Sequence, residues 1–198
     1  MSRSTHTAAD VRFMQHMIVH HAQAVEMNAL IEGRTGSASL QALGARIAQT
    51  QESEMAFMER WLAERGEDTT DPGLHSGHGD HAMHAGHGGH DEHAGHDGHQ
   101  AHDAAMDPGD VPLMPGMLSP NQMTALAAAE GRRFDRLFLE GMIHHHRGAI
   151  AMVEGLLAEP GNGEDPQLSE FLTHVTADQA AEILRMQSML SAMGAADQ

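Results

Sequence analysis

Cysteine is absent from the 198 residues of this chain. That absence excludes disulfides, Cys-ligated zinc and thiol catalysis, so a soft-metal site would have to use methionine sulfur and histidine nitrogen. Lysine is absent too: all 11 basic residues are arginine, against 28 Asp and Glu, for a formal net charge of −17. Without a basic surface to neutralise phosphates, nucleic acid is excluded as a partner, and anionic membrane surfaces are disfavoured for the same reason. There is no tyrosine, one tryptophan and only five phenylalanines, so the core has to come from Leu, Ile, Val, Ala and Met. No stretch approaches the ~18–20 continuous apolar residues of a membrane span. The opening Met1-Ser2-Arg3-Ser4-Thr5-His6 shows no signal-peptide pattern. The chain therefore reads either as cytosolic as written or as one whose export signal has been removed.

What is abundant is histidine, at 18 residues, and methionine, at 16. Ten histidines recur at every third position: His75, His78, His81, His84, His87, His90, His93, His96, His99 and His102. Between them stand only Gly, Ala, Asp, Ser, Gln, Glu and Met83, so the run has no apolar periodicity with which to build a core. A short His-rich tract is a compositional signature of metal binding, and imidazole is the commonest protein metal ligand. The tract is expected to be a flexible, high-capacity binder of copper, zinc or nickel. Two other readings stay open: a solvated linker with incidental histidine, and a tether whose imidazoles charge together as pH falls.

The flanks of the tract repeat each other. Met17-Ile18-Val19-His20-His21-Ala22-Gln23-Ala24-Val25-Glu26-Met27 aligns with Met142-Ile143-His144-His145-His146-Arg147-Gly148-Ala149-Ile150-Ala151-Met152, and Asp10 and Phe13 align with Asp135 and Phe138. Further on, Gln51, Glu54, Met58, Leu62 and Gly66 correspond to Gln179, Glu182, Met186, Leu190 and Gly194. This is an internal duplication. Each copy reads as a helix pair: Phe13, Met17, His20, Ala24, Met27 and Ile31 form a stripe at steps of four and three, as do Phe138, Met142, His145, Ala149, Met152 and Leu156. Gly33 and Gly36 split the first pair, and Pro160-Gly161-Asn162-Gly163 the second. Ser119-Pro120 with Gln122 predicts a capped short helix over 120–129, broken at Gly131 from a long one, and Asp165-Pro166 repeats the cap-plus-proline signal. Strand signals are lacking. The expected architecture is an all-α four-helix bundle with one helix pair over 8–66, a disordered His-rich linker over 67–112 and a second pair over 113–196.

The stripes carry polar residues where a core is expected. At about 100° per residue His20 and His21 lie on the inward half of their helix, with Met17 and Met27 bordering the same patch. Gln51, Glu54 and Met58 share one face of the partner helix. His145, His146, Met142, Met152, Gln179, Glu182 and Met186 repeat the pattern. A buried imidazole or carboxylate is costly unless paired or coordinating. One account is a satisfied polar network, with Glu54 accepting from His20 or His21 and Gln51 completing it. The other is a metal site with imidazole and thioether ligands and the Glu as ligand or as the group that orients a histidine. Most methionines on single stripes pack a core, including Met55, Met123 and Met193; Met17, Met27, Met142 and Met152 stand apart because each lies beside paired histidines. His16, His144 and His174 are expected at the periphery, and His6 carries no assignment.

Thioether with imidazole favours copper, Cu(I) above all. A di-iron centre would need Glu-x-x-His motifs that neither Glu26 nor Glu140 supplies, and no His-Glu-x-x-His, phosphate-binding loop, nucleophile elbow or dinucleotide fingerprint is present.

The pattern Phe-x-x-x-Met-x-x-His-His-x-x-Ala-x-x-Met, followed in each copy by Gln-x-x-Glu-x-x-x-Met, resembles the domain-of-unknown-function 305 family. So does the lead-in Met114-Pro115-Gly116-Met117-Leu118-Ser119-Pro120. The resemblance spans nearly the whole chain outside the histidine tract. It implies a ferritin-like bundle, usually exported, with some members binding copper and contributing to copper resistance. Its motif positions here are Met17, His20, His21, Met27, Gln51, Glu54 and Met58, then Met142, His145, His146, Met152, Gln179, Glu182 and Met186. The enlarged His tract departs from the family pattern, as does the missing export signal. The leading expectation is a non-enzymatic protein that buffers, sequesters or transfers copper, with metal ions as its partners and metal-transfer proteins unidentified. Its imidazole sites should weaken as pH falls through about 6.5. A Cu(I) oxidase, or a structural bundle with a pH-sensitive tether, are the alternatives.

Overall fold

The computed structural model describes residues 6–71 and 108–195. The histidines of the tract lie outside the described residues. Five α-helices follow in order: α1 (Ala8–Ala29), α2 (Ala38–Arg65), α3 (Pro120–Ala127), α4 (Gly131–Leu157) and α5 (Pro166–Ala195). Among the described residues there is no strand, and no helix is long and apolar enough to cross a membrane.

The helix ends follow local side-chain chemistry. Thr7 caps α1 and forms a reciprocal box with Asp10, whose Oδ2 accepts from the Thr7 N–H at 2.9 Å. Ser37 caps α2, which stops at Gly66 in the left-handed conformation that glycine adopts without Cβ strain. Ser119, Pro120 and Gln122 start α3 as predicted. The helix ends at Ala127 rather than near 129, because the Ala129 N–H turns back to the Leu126 carbonyl in a tighter turn and the chain then swings so that the Gly131 N–H reaches the Arg34 carbonyl at 2.7 Å. Asp165 caps α5, its Oδ1 accepting from the N–H groups of Gln167 and Leu168.

The four long helices form a bundle in which α1 packs on α2, α4 on α5 and α1 on α4. Its core is divided in two. One apolar cluster holds Ala24, Met27, Phe138, Met142 and Met186; the other holds Phe13, Met17, Met58 and Ala149, with Met152 packed against it. The sequence correspondence exchanges these sets: Phe13 for Phe138, Met17 for Met142, Ala24 for Ala149, Met27 for Met152, Met58 for Met186. Each apolar half is therefore built from the same positions, taken from opposite helix pairs. Met55, Met123 and Met193 are half-buried at the edges of the clusters. Two methionine-rich halves leave a polar layer between them.

Candidate metal centre

The polar layer contains His20, His21, His145 and His146, all with zero exposure, together with buried Gln51 and Gln179. The helical period places them there: in both copies the adjacent histidines straddle the inward line of the stripe that the flanking methionines continue. Glu54 on α2 and Glu182 on α5 meet the layer from its rim, their side chains 12% and 15% exposed.

Every one of the four rings uses Nε2. His21 Nε2 lies 2.7 Å from Glu54 Oε2, and His146 Nε2 lies 2.7 Å from Glu182 Oε2, the same contact in both copies. His145 Nε2 donates to the backbone carbonyl of His20 at 2.8 Å, and His20 Nε2 donates to the carbonyl of Pro115 at 3.2 Å. A carbonyl only accepts, so the network places the proton of His20 and of His145 on Nε2 and the lone pair on Nδ1. The Nδ1 atoms of all four histidines are buried and have no hydrogen-bond partner. Gln51 Nε2 and Oε1 and Gln179 Oε1 are likewise buried without partners. Such atoms are uncommon in folded proteins, and each unpaired one costs about 1–3 kcal/mol. The polar network weighed from the sequence is therefore half present: Glu54 accepts from His21, whereas Gln51 completes nothing.

The His20 and His145 rings lie with centroids 3.8 Å apart at an interplanar angle of 41°. Burial pushes the His20 imidazole from 6.5 down to about 3; the neighbouring His21 adds to the shift, and the hydrogen bond to Pro115 opposes it. Burial likewise holds His145 well below its ordinary value, reinforced by His20. The sequence expectation of weakening through pH 6.5 took the ordinary imidazole value, from which both of these rings are displaced downward. For these two rings, protons become competitive only in much stronger acid.

Met17, Met27, Met58, Met142 and Met186 have zero exposure and border the layer from the two apolar halves, while Met152 is half-buried. Among the described residues no three His, Asp or Glu side chains form a group placed to enclose a metal. His16 sits at the periphery with Nε2 2.9 Å from Asp71 Oδ2, and His144 and His174 are exposed. Sequence reasoning missed three tethers. His6 packs edge-on to Trp61. Asp10 bonds the Gly163 N–H at 2.8 Å. Asp165 accepts from Trp61 Nε1 at 3.1 Å and from Arg65 at 2.7 Å. The Thr7-x-x-Asp10 spacing signals only the local cap of α1; all three tethers are long-range contacts without a local pattern.

The family model described as "Domain of unknown function (DUF305)" matches residues 10–190. Among solved structures, a DUF305 protein from Streptomyces coelicolor, inferred to be secreted, is 24% identical with a TM-score of 0.68, the match covering 94% of each chain. A DUF305 fragment from Deinococcus radiodurans is 25% identical with a TM-score of 0.68, over 94% of this chain and 97% of that one. CopM in its Cu(I)-bound form is 22% identical with a TM-score of 0.60, over 92% and 95%. CopM has also been solved with Cu(II), with silver and without metal. At such identities the likeness carries the fold. Among curated proteins none matches the chain.

Proposed function

The chain belongs to the DUF305 family, and from that premise we propose that its bundle binds copper, Cu(I) in preference, for buffering, sequestration or transfer. The observation that carries the reading is the set of four buried imidazoles with Nε2 occupied and Nδ1 free. Metal-binding histidines characteristically donate the second ring N–H to a carboxylate or a backbone carbonyl, which fixes the tautomer and aims the ligating nitrogen. Both kinds of acceptor are present here, and on His20 and His145 the carbonyl partners leave the lone pair on a buried Nδ1.

Because no three His, Asp or Glu side chains among the described residues are preassembled around one point, the proposed sites each combine one or two imidazole Nδ1 atoms, from His20, His21, His145 and His146, with thioethers drawn from Met17, Met27, Met58, Met142, Met152 and Met186. This soft donor set suits Cu(I) better than zinc or nickel. Glu54 and Glu182 serve as orienting groups, since each oxygen 2.7 Å from an Nε2 is already engaged. They are also the polar groups of the layer that reach water, Glu182 lining a cleft of about 390 Å³ with Arg46, Thr50, Asp178 and Arg185. The tract from His75 to His102 is proposed as a second, weaker class of site, open to zinc and nickel as well. The role is binding rather than catalysis, with placement outside the cytoplasm supported by the secreted character inferred for the Streptomyces neighbour.

The test is nitrogen NMR of the imidazoles with Ag(I) as a diamagnetic stand-in for Cu(I). Binding as proposed moves Nδ1 resonances of His20, His21, His145 and His146 while Nε2 stays protonated. Shifts confined to the tract histidines would overturn the bundle assignment.

A further inference from the structure

His20 and His145 are equivalent by sequence, yet their Nε2–H groups are held by different kinds of partner. His145 donates into α1, to the carbonyl of His20 itself. His20 donates to Pro115, which lies on the non-helical strap of residues 111–119 leading into α3. One ring of the pair is therefore set by the bundle and the other by a connecting segment.

The strap is seated by two glycines. Gly116 adopts φ +83°, a conformation that side chains rarely tolerate. A Cβ on Gly148 of α4 would come within 2.4 Å of Gly116 Cα and 2.5 Å of the Pro115 carbonyl oxygen, and a Cβ on Gly116 within 2.4 Å of Gly148 Cα. Backbone thus lies directly on backbone, at the one residue adjoining the carbonyl that His20 uses. Gln23, three residues beyond His20, clamps the far side: its Oε1 accepts from the Leu118 N–H at 2.7 Å and its Nε2 donates to the Leu118 carbonyl at 2.9 Å. A glycine inside a helix is otherwise unfavourable relative to alanine, and Gly148 stands in the middle of α4.

We propose that Gly148 and Gly116 are positioning residues: their contact seats the strap so that the Pro115 carbonyl locks His20 in the Nε2–H tautomer, leaving its Nδ1 lone pair for the metal. The identity of the metal rests on the copper reading above; the locking of the tautomer does not. Without the seat the His20 ring is free to place its proton on either nitrogen, and the form that presents Nδ1 is no longer fixed. Outer groups of this kind typically govern metal affinity by about 10- to 100-fold.

The experiment uses the full chain with Gly148→Ala, and Gly155→Ala as its control. Gly155 lies on the same helix with nothing within 4 Å of an added Cβ, so the control makes the same chemical change without touching the strap. Gln23→Leu loosens the clamp by a route that adds nothing at Gly148, and it carries the test if Gly148→Ala fails to fold. Nitrogen NMR of the metal-free protein reads the His20 and His145 tautomers, and Cu(I) affinity is read against a chromogenic Cu(I) chelator. The proposal expects His20 to leave the pure Nε2–H form in Gly148→Ala and Gln23→Leu, with His145 and the Gly155→Ala protein unchanged. Cu(I) affinity should fall about 10- to 100-fold in the same two variants. An unaltered His20 tautomer in both variants overturns the proposal, as does an altered tautomer with unaltered affinity. If the tautomer shifts but the parent chain has no Cu(I) affinity, the copper reading fails while the locking of the His20 tautomer by the seated strap stands.

Discussion

Replacing His20 and His145 together by glutamine should flatten the acid side of the stability curve. Both rings are buried and neutral in the fold, with His20 at about 3 and His145 displaced in the same direction. In the unfolded chain each takes up a proton near 6.5. The folded values are the depressed ones, so the unfolded state binds more protons as pH falls, and stability is lost from about pH 6.5 downward until the folded rings themselves protonate. At 1.36 kcal/mol per pKa unit, the whole His20 displacement from 6.5 to about 3 corresponds to roughly 5 kcal/mol. By pH 5 about 2 kcal/mol of this has been lost, and His145 adds to the loss in the same direction. A domain of this size is stable by about 5–15 kcal/mol in all, so the effect is large. Urea unfolding of metal-free protein, followed by helical circular dichroism at pH 7.5, 6.5, 5.5 and 5, reads it. The parent chain should lose at least about 2 kcal/mol more than the double variant across that range. Because the two proteins share every other titrating group, equal slopes would refute the claim that these imidazoles are held neutral by burial.

Three further outcomes follow from the same geometry. Asp165→Ala removes the cap of α5, the acceptor of the buried Trp61 indole and the partner of Arg65, and should cost about 3 kcal/mol in urea unfolding monitored by Trp61 fluorescence; a loss below about 1 kcal/mol would contradict its role as the tie between the helix pairs. Glu54→Ala and Glu182→Ala each orphan a buried Nε2–H, and each should lower Cu(I) affinity about 10- to 100-fold by chelator competition, whereas unchanged affinity would remove the orienting role. Acidifying copper-loaded protein from pH 7.5 to 5 should release metal in two classes, counted after gel filtration. Tract imidazoles near 6.5 give up their copper first, and the bundle copper is retained while the fold persists; a single release near 6.5 would contradict the two-class account.

Much of this was legible in the sequence because the governing interactions are local. Ser119-Pro120 with Gln122 and Asp165-Pro166 announce helix starts through hydrogen bonds three residues long, and the structure places α3 and α5 there. The inward placement of His20, His21, His145 and His146 follows from the helical period alone. What was not legible depends on residues far apart in the chain. No spacing says that His20 finds Pro115 95 positions away, that His145 finds the backbone of His20, or that Gln51 finds nothing. The depressed protonation of His20 and His145 arises from packing on all sides, which a one-dimensional pattern does not contain. The Glu54 and Glu182 contacts lie between: sequence set them on facing stripes, and the fold chose His21 and His146 over His20 and His145.

The most direct test of the central claim is a Cu(I) competition titration with bound metal counted, on three proteins: the full chain, a chain lacking residues 74–103, and the full chain with His20, His21, His145 and His146 changed to alanine. The account predicts tight binding that survives removal of the tract and disappears with the four bundle histidines. Tight binding that vanishes with the tract and persists in the four-alanine protein would contradict it.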